Sequence, residues 1–313
     1  MLFPHLSTEL CGRLAREEFG NPKANKNKTD AALDKEICES LIGTTYEVAA
    51  ELWNLIDPVT HCDKFSGAHP KHLFWSLLFL KNYCTEPVLI RVVGFVDKKT
   101  LRKWVWIFVR AIADLKPDVV SLLCVASPPL ISKIIASLLL YKIIWIRRFE
   151  GWDGKTECVC TVDGVDCAIQ EPWPFDEEIF SKKLNGPGYK YEICVCIKTG
   201  AIVWVNGPFK AGRHDKTIFV KEGLKDALCD DELLEGDMAY SGDMQLKNAK
   251  TAQTKNAKRS KGRARGHHEN VKGELKKFEV VNSVFRHDPR KKHQMCFEAV
   301  AVICQLRHDF GRH

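Results

Sequence analysis

The sequence predicts an α/β chain in which an all-helical N-terminal region leads into a mixed sheet flanked by helices. Two observations carry that expectation. Apolar residues recur at helical spacing up to about Leu115, then take up the two-residue period of strands after Glu150. Two of the strand-like runs end in an aspartate, and a later helical segment opens with a glutamate. The expected organisation is a helical region over 1–60, a helix-turn-helix-like region over 61–116, an apolar connector over 117–150 and an α/β domain over 151–313.

In the first region, Asn21 to Asp30 is rich in Asn and Lys and reads as an exposed loop. Lys35 to Leu55 reads as a helix closed by Asp57-Pro58. HLFWSLLFLKNY (His72 to Tyr83) has the dense apolar content of a buried helix. Thr85, Glu86 and Pro87 open a short helix that Gly94 ends. Asp97 can cap the next, Leu101 to Leu115, whose Leu101, Trp104, Val105, Phe108 and Ile112 recur at helical spacing. Helix, short helix, turn and basic-ended helix is the outline of a helix-turn-helix. Lys98, Lys99, Thr100, Arg102 and Lys103 stand at the end of the last helix, where recognition helices touch DNA. A plain three-helix packing unit with solvated lysines reads the same pattern equally well.

TECVCTVD (Thr156 to Asp163) alternates and ends in an acid; Gly164 is expected to turn the chain into a second strand, VDCAIQE. YKYEICVCI (Tyr189 to Ile197) is a third, Thr199-Gly200 a tight turn, and AIVWVNG a fourth. Asp215 to Asp231 reads as a helix with Asp215 as its cap, and Glu232 to Asp237 as a strand ending in an acid. A basic loop then leads to a helix from His267 to Phe278, with Glu269 in its first turn. Hairpin strands, helix, strand, helix is the order of an RNase H-like fold.

A formal charge of +7 is compatible with a polyanionic partner, and its placement is more telling. Lys247 to Arg265 holds eight Lys or Arg, among them Lys258, Arg259, Lys261, Arg263 and Arg265, and no Asp or Glu. Such a run reads as a DNA-contacting or nuclear-targeting loop. The thirteen cysteines lack the spacing of a secreted framework, and Met1 to Gly20 lacks the apolar stretch of a secretory signal. Reduced thiols and an intracellular compartment are therefore expected. Cys158/Cys160 and Cys194/Cys196 are spaced by two, which puts small apolar groups on one buried strand face more readily than it builds a zinc site. Val119 to Ile146 is long and apolar, yet Pro128, Pro129, Lys133 and Lys142 interrupt it, so a buried connector is expected and no membrane span.

If the strands ending in Asp163 and Asp237 are neighbours, the two acids meet at one sheet edge, and a helix on that sheet can bring Glu269 alongside. Carboxylates so placed repel one another unless cations neutralise them, and hard oxygen donors suit Mg²⁺ or Mn²⁺. Two such ions about 4 Å apart can activate a water or a 3′-hydroxyl and stabilise the leaving oxygen of a phosphodiester. Singly, each acid is equally at home as a cap or turn former.

The stretches TVDGVDCAIQEPWPF, FSKKLNGPGYKYEICVCIKTGAIVWVNGPFKAGRHDKTIF, GDMAYSG, RGHHENVKGELKKF and FRHDPRKKHQMCFEAVAVICQL, in that order, resemble the DDE endonuclease domain of PIF/Harbinger-type transposases. The resemblance covers about half the chain, and KKTLRKWVW resembles the helix-turn-helix that precedes that domain in some members. It implies catalytic acids at Asp163, Asp237 and Glu269, with Asp215 matching a position often counted as metal-binding and so the rival for second acid. His214, His267 and His268 would orient water or phosphate, and Lys182, Lys183 and Lys190 would meet backbone phosphates. The implied function is a nuclear, Mg²⁺- or Mn²⁺-dependent transposase acting on double-stranded transposon ends and target, as a homo-oligomer and with an accessory DNA-binding protein. A domesticated descendant that binds without cutting is the alternative. The relatives pass quickly from the helices to the first catalytic strand, so Val119 to Ile146 reads as an insertion or a translated retained intron.

Overall fold

The computed structural model of the protein describes residues 5–20, 29–57, 65–120, 158–229, 232–247, 255–287 and 290–311; the side chains of 255–261, 263 and 264 lie outside that description. Residues 21–28 of the expected loop and 121–150 of the expected connector also lie outside it, whereas Asp30, the last residue of that expected loop, begins a helix that Thr29 caps. The chain divides into two compact units, one made of Met1–Lys116, Leu275–Ser283 and Lys291–His313, the other of Pro117–Glu274 and Val284–Arg290.

The first unit is helical: Thr8–Phe19 (α1), Asp30–Glu36 (α2), Tyr46–Ile56 (α3), Pro70–Asn82 (α4), Glu86–Val92 (α5) and Lys98–Asp114 (α6). The expected helix over Lys35 to Leu55 is instead interrupted. A π-helical turn at Ile37–Ile42 runs into Gly43 at φ 69°, and Thr45 restarts the helix by accepting from Val48 N. The α4, α5 and α6 helices occur where the sequence outlines them, and Asp97 caps α6 through Thr100 N at 3.0 Å. Their core is aromatic. Trp53 stacks on Phe108 with centroids 5.9 Å apart, and buried His72 stacks on Trp104 at 4.1 Å. Burial pulls the His72 imidazole down to about 3, so it stays neutral and packs as an aromatic.

The second unit holds the sheet: Cys158–Ala168 (β1), Phe180–Ser181 (β2), Gly186–Cys196 (β3), Ile202–Lys210 (β4), Leu233–Gly236 (β5) and Leu246–Lys247 (β6). β1 pairs antiparallel with β3 and parallel with β5, β4 lies on the far side of β3, and β6 lies parallel beyond β5. Asp215–Lys221 (α7) and Leu224–Ala227 (α8) follow β4, and Lys255–Lys276 (α9) follows β6. Cys160, Val162, Cys194 and Cys196 share one buried face with Val203, Phe219, Leu234 and Tyr240. The paired cysteines are thus core packing, and none of the four forms a disulfide.

Three sequence expectations are corrected here. Gly164 does not turn the chain: Cys160 to Ala168 pairs without a break against Gly188 to Cys196, because those hydrogen bonds outweigh the local turn signal. The helix expected over Asp215 to Asp231 breaks at Gly223, whose φ of 96° leaves the right-handed region. The α9 helix begins at Lys255, twelve residues before the expected start, so Glu269 sits well inside it and not in its first turn. Among the described residues no helix is long and apolar enough to cross a membrane.

Candidate active site

The site grows from the parallel pairing of β1 with β5. Val162 pairs with Gly236, so Asp163 and Asp237 are each the next residue along two strands about 4.8 Å apart. Asp237 directly follows β5 and caps the 3₁₀ turn Met238–Tyr240, accepting from Ala239 N at 2.7 Å. Burial first, then the negative charges of Asp163 and Asp215, raises the Asp237 carboxyl above its ordinary pKa. Asp163 accepts from Gly164 N through Oδ1 and from the Lys272 ammonium through Oδ2.

Asp215 reaches the same place from the start of α7. His214, not Asp215, is the N-cap of that helix, and it makes no side-chain capping bond. Freed from capping, the Asp215 carboxylate takes the Lys190 ammonium at 2.8 Å, while Lys190 also donates to Arg213 O at 2.9 Å. A Cβ added to Gly164 would stand 2.9 Å from Asp215 Oδ1. The glycine after Asp163 therefore serves close approach of a second acid, which accounts for a glycine in mid-strand.

The α9 helix supplies the third side of the site. His268, Glu269 and Lys272 lie within little more than one turn, and three-residue spacing puts Glu269 and Lys272 on adjoining faces. Asp163, Glu235, Asp237, Arg265, His268 and Glu269 border one cleft of about 530 Å³. His268 is only 3% exposed and neither ring nitrogen has a partner; burial lowers its imidazole to about 4 against the pull of Asp163. The donors here are carboxylate oxygens, which fit a hard divalent cation in kind. Among the described residues no three His, Cys, Asp or Glu side chains converge closely enough to hold an ion together. Lysine ammonium groups instead rest on Asp163 and Asp215.

The other sequence-derived positions fall elsewhere. Lys182 and Lys183 are exposed in the turn between β2 and β3 and do not border the cleft. In the helical unit, Lys98 and Arg102 both bind Glu86, at 3.0 and 2.7 Å, Lys103 lies over the Trp104 ring at 4.9 Å, and Lys99 and Thr100 are exposed. Lys258, Arg259, Lys261 and Arg263 have side chains outside the described residues. Two neighbours of the acids escaped the sequence reading. Lys272 was detectable as the basic residue one turn from Glu269. Glu192, opposite Gly164 on β3, was detectable as the single acid inside the apolar run YEICVCI. Glu192 is buried, accepts from Trp204 Nε1 at 3.2 Å and is pushed up to about 8 by burial, with Asp215 and Glu222 adding to the effect.

Residues 162–306 match the family model described as DDE superfamily endonuclease. That span is just under half of the chain, and it contains Asp163, Asp215, Asp237 and Glu269. No curated protein and no solved structure matches the chain.

Proposed function

We propose that this chain is a transposase-type DNA endonuclease that cuts phosphodiester bonds at transposon ends and joins strands, with Asp163, Asp237 and Glu269 as its catalytic acids. The observation that carries the reading is the common cleft: three acids drawn from three separated motifs border one cavity, within the span that matches a DDE superfamily endonuclease. An antiparallel β1–β3–β4 meander with β5 and β6 parallel to β1 supports the RNase H-like assignment.

Asp163, Asp237 and Glu269 would hold Mg²⁺ or Mn²⁺, with Asp215 as the further donor. When bound, the cations supply Lewis acidity toward the phosphate and lower the pKa of the attacking water or 3′-hydroxyl. The chain's own groups hold the acids in place. Lys272 anchors Asp163 and Lys190 anchors Asp215, so the carboxylates are oriented before substrate arrives. Arg265, exposed at the same cleft, offers positive charge to the scissile strand. Neutral His268 is placed to exchange a hydrogen bond with water or phosphate. PIF/Harbinger-type ancestry, a nuclear location, a DNA-contacting helix-turn-helix over 61–116, a homo-oligomer and an accessory DNA-binding protein complete the proposal.

One observation favours a second reading, a domesticated descendant that binds DNA without cutting: ammonium groups already neutralise Asp163 and Asp215. A plasmid carrying the flanking terminal repeats separates the two. The nuclease reading expects nicks with Mg²⁺ or Mn²⁺ and none with EDTA. Binding of the repeats without nicks under every metal would establish the second reading instead.

A further inference from the structure

A second cleft, of about 540 Å³, lies just beyond the C-terminal end of β1, bordered by Trp173, Lys210, Phe285, Arg286, His287 and Arg290. We infer that this cleft is a nucleic-acid subsite for an unpaired nucleotide, its base stacked on Trp173 and its phosphate met by Arg286 and Arg290. The inference rests on the DNA-cutting reading and names where a second part of the substrate goes.

The indole is the first argument. Trp173 is 95% exposed at the border of the cleft, so its indole is open to a ligand. It is also held in place. Pro172 and Pro174 restrict the backbone on both sides. Below the loop, Gln170 N donates to Phe285 O at 3.0 Å and Phe285 N donates to Ala168 O at 2.9 Å. Above it, Asp176 pairs with Lys210 at 2.9 Å. An aromatic plate presented by a pinned loop loses little entropy when a ligand stacks on it.

Charge decides which ligand. Three cationic side chains, Lys210, Arg286 and Arg290, border the cleft against two acids, Glu171 and Asp176. Arg290 donates to the Pro208 carbonyl, a neutral acceptor that fixes the guanidinium while leaving its charge intact. An exposed aromatic plate beside cationic groups is the arrangement that takes a stacked base and its phosphate. Fully paired duplex hides its base faces, so the occupant is an unpaired or splayed nucleotide. Asp163 and Ile169 are six residues apart along β1 and its extension, about 20 Å at about 3.3 Å per residue. Duplex DNA lying along that line would put the stacked nucleotide about six steps from the cut, at about 3.4 Å per step.

The test is binding by the full chain in EDTA, where no cutting intervenes. Fluorescence anisotropy would compare a labelled single strand of about 20 nucleotides with its duplex. Trp173→Ala is expected to weaken single-strand binding about 5- to 150-fold, as loss of one stacked base does, and duplex binding less than about threefold. Trp173→Phe should restore most of the affinity, and Arg290→Ala should weaken single-strand binding and flatten its salt dependence. Circular dichroism controls for folding, which an exposed side chain does not govern. Undiminished single-strand binding by Trp173→Ala overturns the subsite, as does an equal loss on both DNAs. A wild type that nicks DNA but shows no effect at Trp173 refutes this inference alone. A wild type that neither binds nor nicks DNA refutes the nuclease reading and the subsite with it.

Discussion

Replacing Glu192 by Gln should stabilise the protein increasingly as pH rises. Glu192 faces the sheet interior opposite Gly164, and burial moves its carboxyl from an ordinary 4.5 up to about 8. Below the unfolded pKa both states carry the proton and Glu192 has no effect on stability. Between the two values only the folded state keeps it, so folding stability falls as pH rises, by about 1.4 kcal/mol per pH unit. From pH 5 to pH 8 the ceiling is about 4 kcal/mol, and relaxation of the site makes about 2–4 kcal/mol the working expectation. The amide of the Glu192→Gln variant keeps a carbonyl to accept from Trp204 Nε1, so the packing is retained. Urea unfolding of both proteins at a series of pH values reads the difference directly. Titrating groups not coupled to Glu192 are common to the pair and cancel. The variant should match wild type near pH 5 and exceed it by a widening margin toward pH 8. A margin that stays constant with pH would refute the assignment of a buried neutral acid behind Asp215.

Two further outcomes follow from the same geometry. Gly164→Ala puts a methyl group 2.9 Å from Asp215 Oδ1 and 3.5 Å from Lys190 Cδ, so this ion pair must shift. A loss of about 1–3 kcal/mol in urea unfolding and at least a tenfold slower nicking rate are expected; unchanged values in both would show that Asp215 does not lean on this glycine. Lys272→Met removes the ammonium from Asp163; since both side chains keep some solvent, a loss of about 1–2 kcal/mol is expected in thermal or urea unfolding, and a gain in stability would contradict the anchoring role.

The legible parts of this chain were those set by local signals. The α4–α6 helices followed their apolar spacing and the Asp97 cap, and β3, β4 and β5 followed alternation and the turn at Thr199-Gly200. The acids at the ends of strand-like runs were visible for the same reason, and Asp163 and Asp237 do stand side by side. What was hidden depends on tertiary contact. Gly164 carries the local mark of a turn, but strand pairing on β3 keeps it extended and Asp215 claims the space above it. The early start of α9 was masked by its basic, glycine-bearing first half, which reads as a loop when judged by composition. Lys272 on Asp163 and Glu192 beneath Asp215 join residues far apart in sequence, and no period in one segment reports such a pairing.

The central claim is that the acids around the β1–β5 edge cut DNA. Nicking of terminal-repeat DNA in Mn²⁺ by wild type, Asp163→Ala, Asp237→Ala, Glu269→Ala and Asp215→Ala tests it most directly. The account predicts loss of about a hundred- to a thousandfold at Asp163, Asp237 and Glu269, the scale on which removing a transition-state charge partner acts, and a smaller loss at Asp215. Normal cutting by Asp237→Ala beside a dead Asp215→Ala would contradict the choice of second acid, and normal cutting by Asp163→Ala would contradict the site itself.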